Sequence, residues 1–285
     1  MFGLFDSIAD WFRELLTDGI ISNFTGMFNE VNEKVGEIAG QVGQTPQGWN
    51  ANIFNLVRTL SETVIIPVAG IILTFILTYE LIHMIIERNN MVEFEVSAIY
   101  KWIFKTFCTV YILTNTFDIV MGVFALAQNV VNSSAVFITG SLDMELALTD
   151  LETQLAAMGT GELIGLYLES AILGLAMKAI SLCVFIIIYG RMIEIYLTIS
   201  IAPIPFSTMV NREWGSIGNN YLKSLFALAF QGFLIMVCVA IYAILLQTIS
   251  ASTNIHAAVW RCAAYTTLLT LTLMKSGSFS KSVFS

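Results

Sequence analysis

The chain has 285 residues, of which 56% are hydrophobic and 12% are charged, and its formal net charge is −8. A soluble domain carries about 25% charged residues, so the composition excludes a water-soluble globular protein. The acidic balance also excludes a generally basic nucleic-acid surface. Several apolar runs of roughly 20 residues are each long enough to cross a bilayer. We therefore predict an all-α fold, a polytopic bundle of about five transmembrane helices preceded by amphipathic helices.

Residues 1–62 are predicted to form amphipathic helices and a loop outside the membrane. In residues 1–17, apolar side chains recur on one helical face and mostly acidic side chains on the other, and residues 24–42 repeat this pattern. Such helices lie in the membrane interface or pack on partner helices, and because the acidic faces attract anionic lipid only weakly, we favour packing on protein. Gly40–Asn50 contains Gly, Pro and Asn, a composition typical of a loop.

Residues 63–126 are predicted to hold the first two transmembrane helices. The first is Thr63–Ile86, with Pro67 in its first turn, where a missing backbone donor costs little. Three ionisable residues share one face near its end: Glu80, His83 and Glu87. Such a set suits a proton relay or a metal, but a polar helix end facing water or other helices is the interpretation that we favour.

The second predicted crossing is Lys101–Leu126. Lys101 and Lys105 open it, and their long side chains can reach one membrane interface. Asp118 lies well inside this crossing, where a carboxylate must pair or face water. We predict that it pairs with a cation of a neighbouring helix or faces a pore.

Residues 127–165 are predicted to form an external acidic loop. Between Lys105 and Lys178 the chain has no Lys or Arg, although five acidic residues occur between residues 143 and 162. The absence of positive charge beside two crossings marks the side of the membrane away from the cytoplasm.

Residues 166–275 are predicted to hold the remaining crossings, beginning with the apolar block Leu166–Met209. As one helix this block would extend roughly 65 Å, against about 30 Å of hydrocarbon. It either turns a hairpin at Gly190 and Arg191 or continues as one kinked helix to a break at residues 203–205.

The distribution of Lys and Arg favours the single kinked helix. It places the later cations, such as Arg212 and Lys275, on the cytoplasmic side, as the positive-inside rule requires. We therefore predict five crossings in a bacterial cell membrane, with the amino terminus outside and residues 276–285 as a cytoplasmic tail. Six crossings remain the alternative.

Ionisable residues inside membrane segments are the main candidates for a functional role. Six are candidates to pair with each other or to line a lumen: Glu80, Asp118, Glu169, Lys178, Arg191 and Glu194. Five more mark a candidate cytoplasmic entrance around the proline break: Pro203, Pro205, Arg212, Trp214 and Lys223. Lys178 lies near mid-bilayer, and we expect it to pair with Asp118 or Glu80 or to face an aqueous lumen.

No catalytic constellation is visible in the sequence. The chain has neither an HExxH nor a GxSxG motif, and its four cysteines have no metal-binding spacing. We therefore predict no catalytic, cofactor or metal site, and we expect the protein to act by positioning other components or by conducting a substrate. A secondary transporter would show matching broken helices in two halves, and the prolines at 203 and 205 have no counterpart in the first half. A purely structural scaffold and a small-solute transporter stay as alternatives.

The order of these parts resembles the TrbL-like family, the polytopic inner-membrane channel subunits of type IV secretion and conjugation machines. The residues that carry the resemblance are Gly40–Asn50, Asn115–Phe124 and Tyr189–Ser224, whose core reads IAPIPFSTMVNREWG. The forms that are most similar come from conjugative elements of Gram-positive bacteria.

The resemblance implies a function and a set of partners. It implies a channel or platform subunit that supports the transfer of single-stranded DNA, with attached protein, across the cell membrane. It also implies membrane lipids as surroundings, a homo-oligomeric ring of five copies, and a conjugation ATPase and bitopic scaffold subunits as partners. The single-stranded DNA would be a transient partner, and no cofactor is implied.

Overall fold

The computed structural model describes residues 2–87, 96–135, 144–248 and 255–285, which form helices and, within these ranges, no β-strand. The helices are α1 (Phe2–Val42), α2 (Pro46–Trp49), α3 (Ala51–Leu60), α4 (Ile66–Glu87), α5 (Val96–Thr114), α6 (Thr116–Ala135), α7 (Met144–Ala157), α8 (Thr160–Ile201), α9 (Pro203–Thr208), α10 (Gly215–Gln247) and α11 (Ile255–Phe284). The predicted all-α class is confirmed.

Three stretches of the described chain are long and apolar enough to cross a bilayer: Ala51–Ile86, Thr160–Ile201 and Gly215–Leu246. The bent pair Ser97–Thr114 and Thr116–Ser134 makes a fourth if it crosses as one span. The last crossing is predicted at about His256–Met274, but helix α11, which contains it, is rich in Thr and Ser and is not among these stretches. A multi-pass membrane protein is therefore supported, and the number five stays a prediction.

The amino-terminal segment is one continuous helix, α1, and not the two helices that the sequence pattern predicted. It packs against α7 and α8. Arg13 Nη2 donates to the carbonyl oxygens of Ala156 and Met158 at 2.9 and 2.5 Å, at the carboxyl end of α7. Asn23 Nδ2 donates to Ser170 Oγ of α8 at 3.0 Å. These contacts agree with the expectation that this segment packs on protein.

The predicted loop Gly40–Asn50 contains the last turn of α1 and the short helix α2. Thr45 caps α2, because its Oγ1 accepts a hydrogen bond from the Gly48 N–H at 3.0 Å. Asn50 then caps α3 through its Oδ1, which accepts from the N–H groups of Asn52 and Ile53. The turn residues of this stretch therefore act as helix caps rather than as an open loop.

The first crossing begins earlier than predicted, because α3 and α4 are joined by a π-helical turn, Ser61–Ile65. Pro67 follows this turn, so it lies inside a continuous helix rather than at a helix start. A proline removes one backbone donor and crowds the carbonyl one turn before it. The wider π turn accommodates both effects without ending the helix.

The second predicted crossing is broken at Asn115, where α5 and α6 meet at 67°. Thr114 and Thr116 donate to the carbonyl oxygens of Val110 and Ile112 at 3.0 and 2.9 Å, and Asn115 Nδ2 donates to that of Tyr111 at 2.8 Å. Side-chain donors that return to the preceding turn bend helices. Asp118 consequently lies in the first turn of α6, where a carboxylate is favourable, and not deep inside a straight helix.

Most of the predicted external loop, residues 127–165, is helical. Helix α6 continues to Ala135, α7 lies wholly within the loop, and α8 begins at Thr160. Glu162 Oε2 accepts from the Gly159 N–H at 3.0 Å and so closes the start of α8. Residues 136–143 lie outside the described residues.

The apolar block that begins at Leu166 lies in the single 42-residue helix α8, so the alternative of a hairpin at Gly190 is wrong. The helix ends at Ile201, and Pro203 opens the short α9, as the two prolines predicted. The predicted tail, residues 276–285, is not a free tail, because α11 continues to Phe284.

The helices belong to two compact units, which we describe separately. The first contains Met1–Val42, Asn132–Tyr189 and Leu234–Ser276. The second contains Gly43–Val131, Gly190–Phe233 and Gly277–Ser285. The larger core of the second unit joins α3, α6, α8, α9 and α10 through side chains that include Phe54, Phe117, Tyr196, Phe206 and Leu225. A smaller cluster of the same unit holds α4 against α5 and the segment after α9: Ala69, Leu73, Leu77, Leu113 and Val210.

Candidate functional site

A polar cavity of about 500 Å³ lies in the second unit, between the end of α4, the start of α5 and the turn that follows α9. Six ionisable side chains line it: Glu80, His83, Lys101, Lys105, Arg212 and Glu213. We call it the polar cavity. It combines three cations with two carboxylates and a histidine. Within the described residues, no group of three His, Cys, Asp or Glu side chains is arranged to hold a metal.

The proline break positions one wall of this cavity. Pro203 and Pro205 are buried, and the helix α9 that they open contacts both α4 and α5. The chain then turns at Asn211, whose Oδ1 accepts from the N–H groups of Glu213 and Trp214 at 2.7 and 3.3 Å. This cap starts α10 and brings Arg212 to the cavity.

Close packing of α9 against α10 depends on Gly218. An ideal Cβ at this position would lie 2.5 Å from the carbonyl oxygen of Pro205 and would overlap the side chain of Met209. A glycine is therefore required where the two helices approach, because any side chain would collide with backbone.

Trp214 ties the turn to α4. Its indole stacks on Phe75, with ring centroids 5.9 Å apart and planes 9° apart, and on Tyr79, at 5.8 Å and 17°. Stacked aromatic pairs add about 0.5–1.5 kcal/mol each beyond the area that they bury. These aromatic contacts hold the turn that carries the predicted entrance residues Arg212 and Trp214 against α4.

Two buried polar atoms beside this cavity have no hydrogen-bond partner within the described residues. Glu80 forms an ion pair with Lys105 through Oε1, while its Oε2 is buried and unpartnered. Trp102 Nε1 is likewise buried without an acceptor. An unpaired buried polar group costs about 1–3 kcal/mol. Both atoms are closed off from the cavity in this structure, so neighbouring side chains must shift before water or a ligand can complete them.

The other candidate carboxylates have partners within their own units. Asp118 is exposed and lies close enough to Arg58 for an electrostatic interaction. Glu169 accepts from Trp260 Nε1 at 2.5 Å and is paired with His256 Nδ1 at 2.5 Å. Within the described residues, Glu80, Asp118 and Glu169 thus interact with side chains other than Lys178.

The two charges predicted on the second half of α8 have different surroundings. Arg191 is only 7% exposed, and its Nε has no hydrogen-bond partner in the described part of the chain, although Glu194 lies near enough to interact electrostatically. Glu194 is half exposed and pairs with Lys281 Nζ at 3.2 Å. Ser280, next to Lys281, donates to the carbonyl oxygen of Ala227 at 2.5 Å.

Lys178 and Lys223 lie away from the polar cavity. Lys178 is exposed on α8 in the first unit, and no ion pair or hydrogen bond is seen for it within the described chain. Lys223 lines a separate cavity of about 280 Å³ beside Lys281. The predicted entrance therefore divides into two places, one around Arg212 and one around Lys223.

Sequence reasoning missed part of the polar cavity. The sequence pattern predicts Lys101 and Lys105 as interfacial anchors and gives no signal that selects Trp102. The spacing of four between the lysines indicated a shared face of α5, and the Glu80 and His83 pair indicated one of α4. Nothing in the sequence showed that these faces meet the turn at Arg212.

The comparisons with known proteins now give a family. The sequence pattern of the family described as TrbL/VirB6 plasmid conjugal transfer like protein matches residues 31–203, more than half of the chain. No curated protein and no solved structure matches. The match ends at Pro203, so most of the IAPIPFSTMVNREWG segment lies beyond it.

Proposed function

Because the chain belongs to the TrbL/VirB6 plasmid conjugal transfer-like family, and is thus a membrane component of a conjugal transfer system, we propose that it is the channel or platform subunit of a conjugative type IV secretion apparatus. In this role it supports the passage of single-stranded DNA, with attached protein, across the bacterial cell membrane. The family match over residues 31–203 is the observation that carries the proposal. The long apolar helices support a location within the membrane.

The charge distribution supports a path that does not hold DNA tightly. The net charge is −8, and phosphate binding requires a concentration of Lys and Arg. Arg212 and Lys223 are exposed and remain candidates for contacts at a cytoplasmic entrance. Arg191 is buried, so DNA reaches it only if the helices rearrange. A weak, transient contact suits a substrate that must leave.

A scaffold role is the second candidate, and a specific observation favours it. Glu80, Glu169 and Glu194 each pair with a side chain of this chain, namely Lys105, His256 and Lys281. Carboxylates that are paired inside one protomer do not need an aqueous lumen to compensate their charge. In this alternative the protein organises the ATPase and the bitopic subunits, and another component conducts the DNA.

We further propose that the chain assembles into a closed homo-oligomeric ring, with five copies as the family-based expectation. A heterologous interface that closes makes such a ring. The first unit supports this, because Lys178 is exposed on the face of α8 that also carries Leu175 and Leu182, where lipid would otherwise surround its charge. A lysine near the middle of an apolar span needs water or a partner, and the described part of a single protomer supplies neither an ion pair nor a hydrogen bond to it.

Deletion of the gene from its conjugative element is expected to abolish DNA transfer to recipient cells, and expression of the wild-type chain should restore it. Formaldehyde crosslinking of the strand in transit distinguishes the two roles. Crosslinks to this chain support the conduit, whereas loss of transfer without any crosslink supports the scaffold. Undiminished transfer by the deletion element would contradict both.

The proposed orientation places α7 outside the cell and the end of α11 in the cytoplasm. Glu152 on α7 and Ser278 on α11 are both exposed. In a variant without the four native cysteines, we expect a membrane-impermeant maleimide to label Glu152→Cys in intact cells. Ser278→Cys should be labelled only after lysis. The reverse pattern would overturn the orientation.

A further inference from the structure

An apolar groove of about 320 Å³ adjoins the polar cavity, and Lys105 lines both. One side of the groove is a face of α5 that repeats every four residues, formed by Phe104, Cys108 and Ile112. The other side contains Phe206 and Met209. The second unit thus places a charged cavity directly beside an apolar channel that follows a helix.

The polar cavity lies where a lipid headgroup would lie. It is bounded by the last turns of the span Ala51–Ile86 and by the first turns of α5, and such helix ends meet the membrane interface. Tyr79 and Trp102 line it, and Tyr and Trp concentrate at this depth of a bilayer. The groove continues along α5 from that level.

The polar groups of this cavity need both an anion and a hydrogen-bond donor. Lys101 and Arg212 contact no carboxylate in the described part of the chain, and Trp102 Nε1 lacks an acceptor. Glu80 Oε2, in contrast, lacks a donor within the described residues, and a small shift of neighbouring side chains would bring it and Trp102 Nε1 into contact with a ligand. The other charged groups that line the cavity are Glu213 and the ion pair of Glu80 with Lys105, and His83 lies at the same wall. A phosphodiester that also carries hydroxyl groups satisfies both requirements.

We propose that the polar cavity and the adjoining groove bind one phosphatidylglycerol molecule. Lys101 and Arg212 hold the phosphate, the glycerol hydroxyls of the headgroup donate to Glu80, and one acyl chain occupies the groove beside Cys108. A phosphatidylcholine headgroup has the phosphate but no donor for Glu80, and its quaternary ammonium is repelled by the cations. Lipid binding here does not require that the protein conducts DNA; the bound lipid would occupy Arg212 and leave Lys223, in its separate cavity, as the candidate DNA contact.

The test uses the full-length protein in mild detergent and native mass spectrometry with added lipid. We expect wild-type protein to retain phosphatidylglycerol at least tenfold more tightly than phosphatidylcholine. The double substitution Lys101→Gln with Arg212→Gln should remove that preference. The control, Lys275→Gln with Lys281→Gln, removes the same charge from exposed positions outside the cavity and should keep it. Equal retention of the two lipids by wild-type protein overturns the proposal, whether or not the variants fold.

Two competitors distinguish other sources of phosphate. Inorganic phosphate at millimolar concentration should not displace the lipid, because it cannot occupy the groove; displacement would show a free-phosphate site instead. A short single-stranded oligonucleotide should not displace it either, and displacement that depends on Lys101 and Arg212 would assign the cavity to nucleic acid. Cys108→Trp, which fills the groove, should weaken lipid retention while Lys101 and Arg212 remain; unchanged retention would contradict the acyl-chain part of the site.

Discussion

Replacing Gly218 with leucine is expected to destabilise the second unit by about 3 kcal/mol, the upper end of the usual cost of overpacking. The new Cβ would lie 2.5 Å from the carbonyl oxygen of Pro205. That oxygen belongs to a backbone held by two buried prolines, so it cannot move aside as a flexible side chain could. Either α10 must shift away from α9, or the turn that carries Arg212 and Trp214 must reorganise.

Thermal unfolding of the detergent-purified protein measures this effect. A loss of this size should lower the midpoint by about 5–10 °C. Gly122→Leu is the matched control, because an added Cβ at Gly122 meets nothing within 4 Å. This second change should leave the midpoint unchanged or raise it slightly, since leucine favours a helix more than glycine does. Equal midpoints for both variants would contradict the close approach of α9 and α10.

Replacing Lys178 with methionine is expected to weaken self-association by up to about a hundredfold. In a single protomer Lys178 lies on an exposed apolar face, with Leu175 72% and Leu182 60% exposed on either side. A lysine at the centre of a membrane helix costs about 2.5–3.5 kcal/mol. In the ring, a partner or water can compensate the ammonium and remove this cost. The charge therefore destabilises the separated protomer relative to the ring. Methionine has a similar length and no charge, and therefore stabilises the separated protomer.

Mass photometry of diluted detergent samples reports the balance between protomer and ring. Two controls separate charge from shape. Leu175→Met changes the same face without changing its charge, and Lys281→Met removes a lysine that pairs with Glu194 where both side chains are about half exposed. An exposed ion pair contributes only about 0–1 kcal/mol, so both controls should assemble like the wild type. A Lys178→Met protein that assembles equally well would show that the ring does not depend on this charge.

Much of the fold could be predicted from local chemistry. The length of the apolar runs identified the membrane helices, and the two prolines located the end of α8. The break at Asn115 could not be predicted from hydropathy, because Thr and Asn are tolerated in an apolar helix. Their effect depends on which carbonyl oxygens they contact. The continuity of α1 was missed for a similar reason, because Gly19, Ser22 and Asn23 are residue types that often end or start a helix, yet α1 continues through them.

The candidate site was predicted in part. Glu80, Arg212 and Trp214 were selected because charge and irregular backbone are costly in a membrane. The sequence showed that these residues would be unfavourable in a membrane, but it did not show which side chains would pair or pack with them. Glu80 pairs with Lys105, which is 25 residues away, and Trp214 stacks on rings of α4 more than 130 residues earlier.

The sequence alone determined that this protein is an all-α membrane protein. Hydrophobic content and the length of apolar runs do not depend on how the helices pack. The sequence also determined where the long third apolar helix ends, since a proline blocks a helix whatever surrounds it. Only the tertiary structure decided which polar groups meet. The turn at Arg212, the lysines of α5 and the end of α4 come together because Pro205, Gly218 and Trp214 fix α9 against its neighbours. Such long-range contacts depend on shape complementarity, and the order of residues along the chain does not encode it in any local pattern.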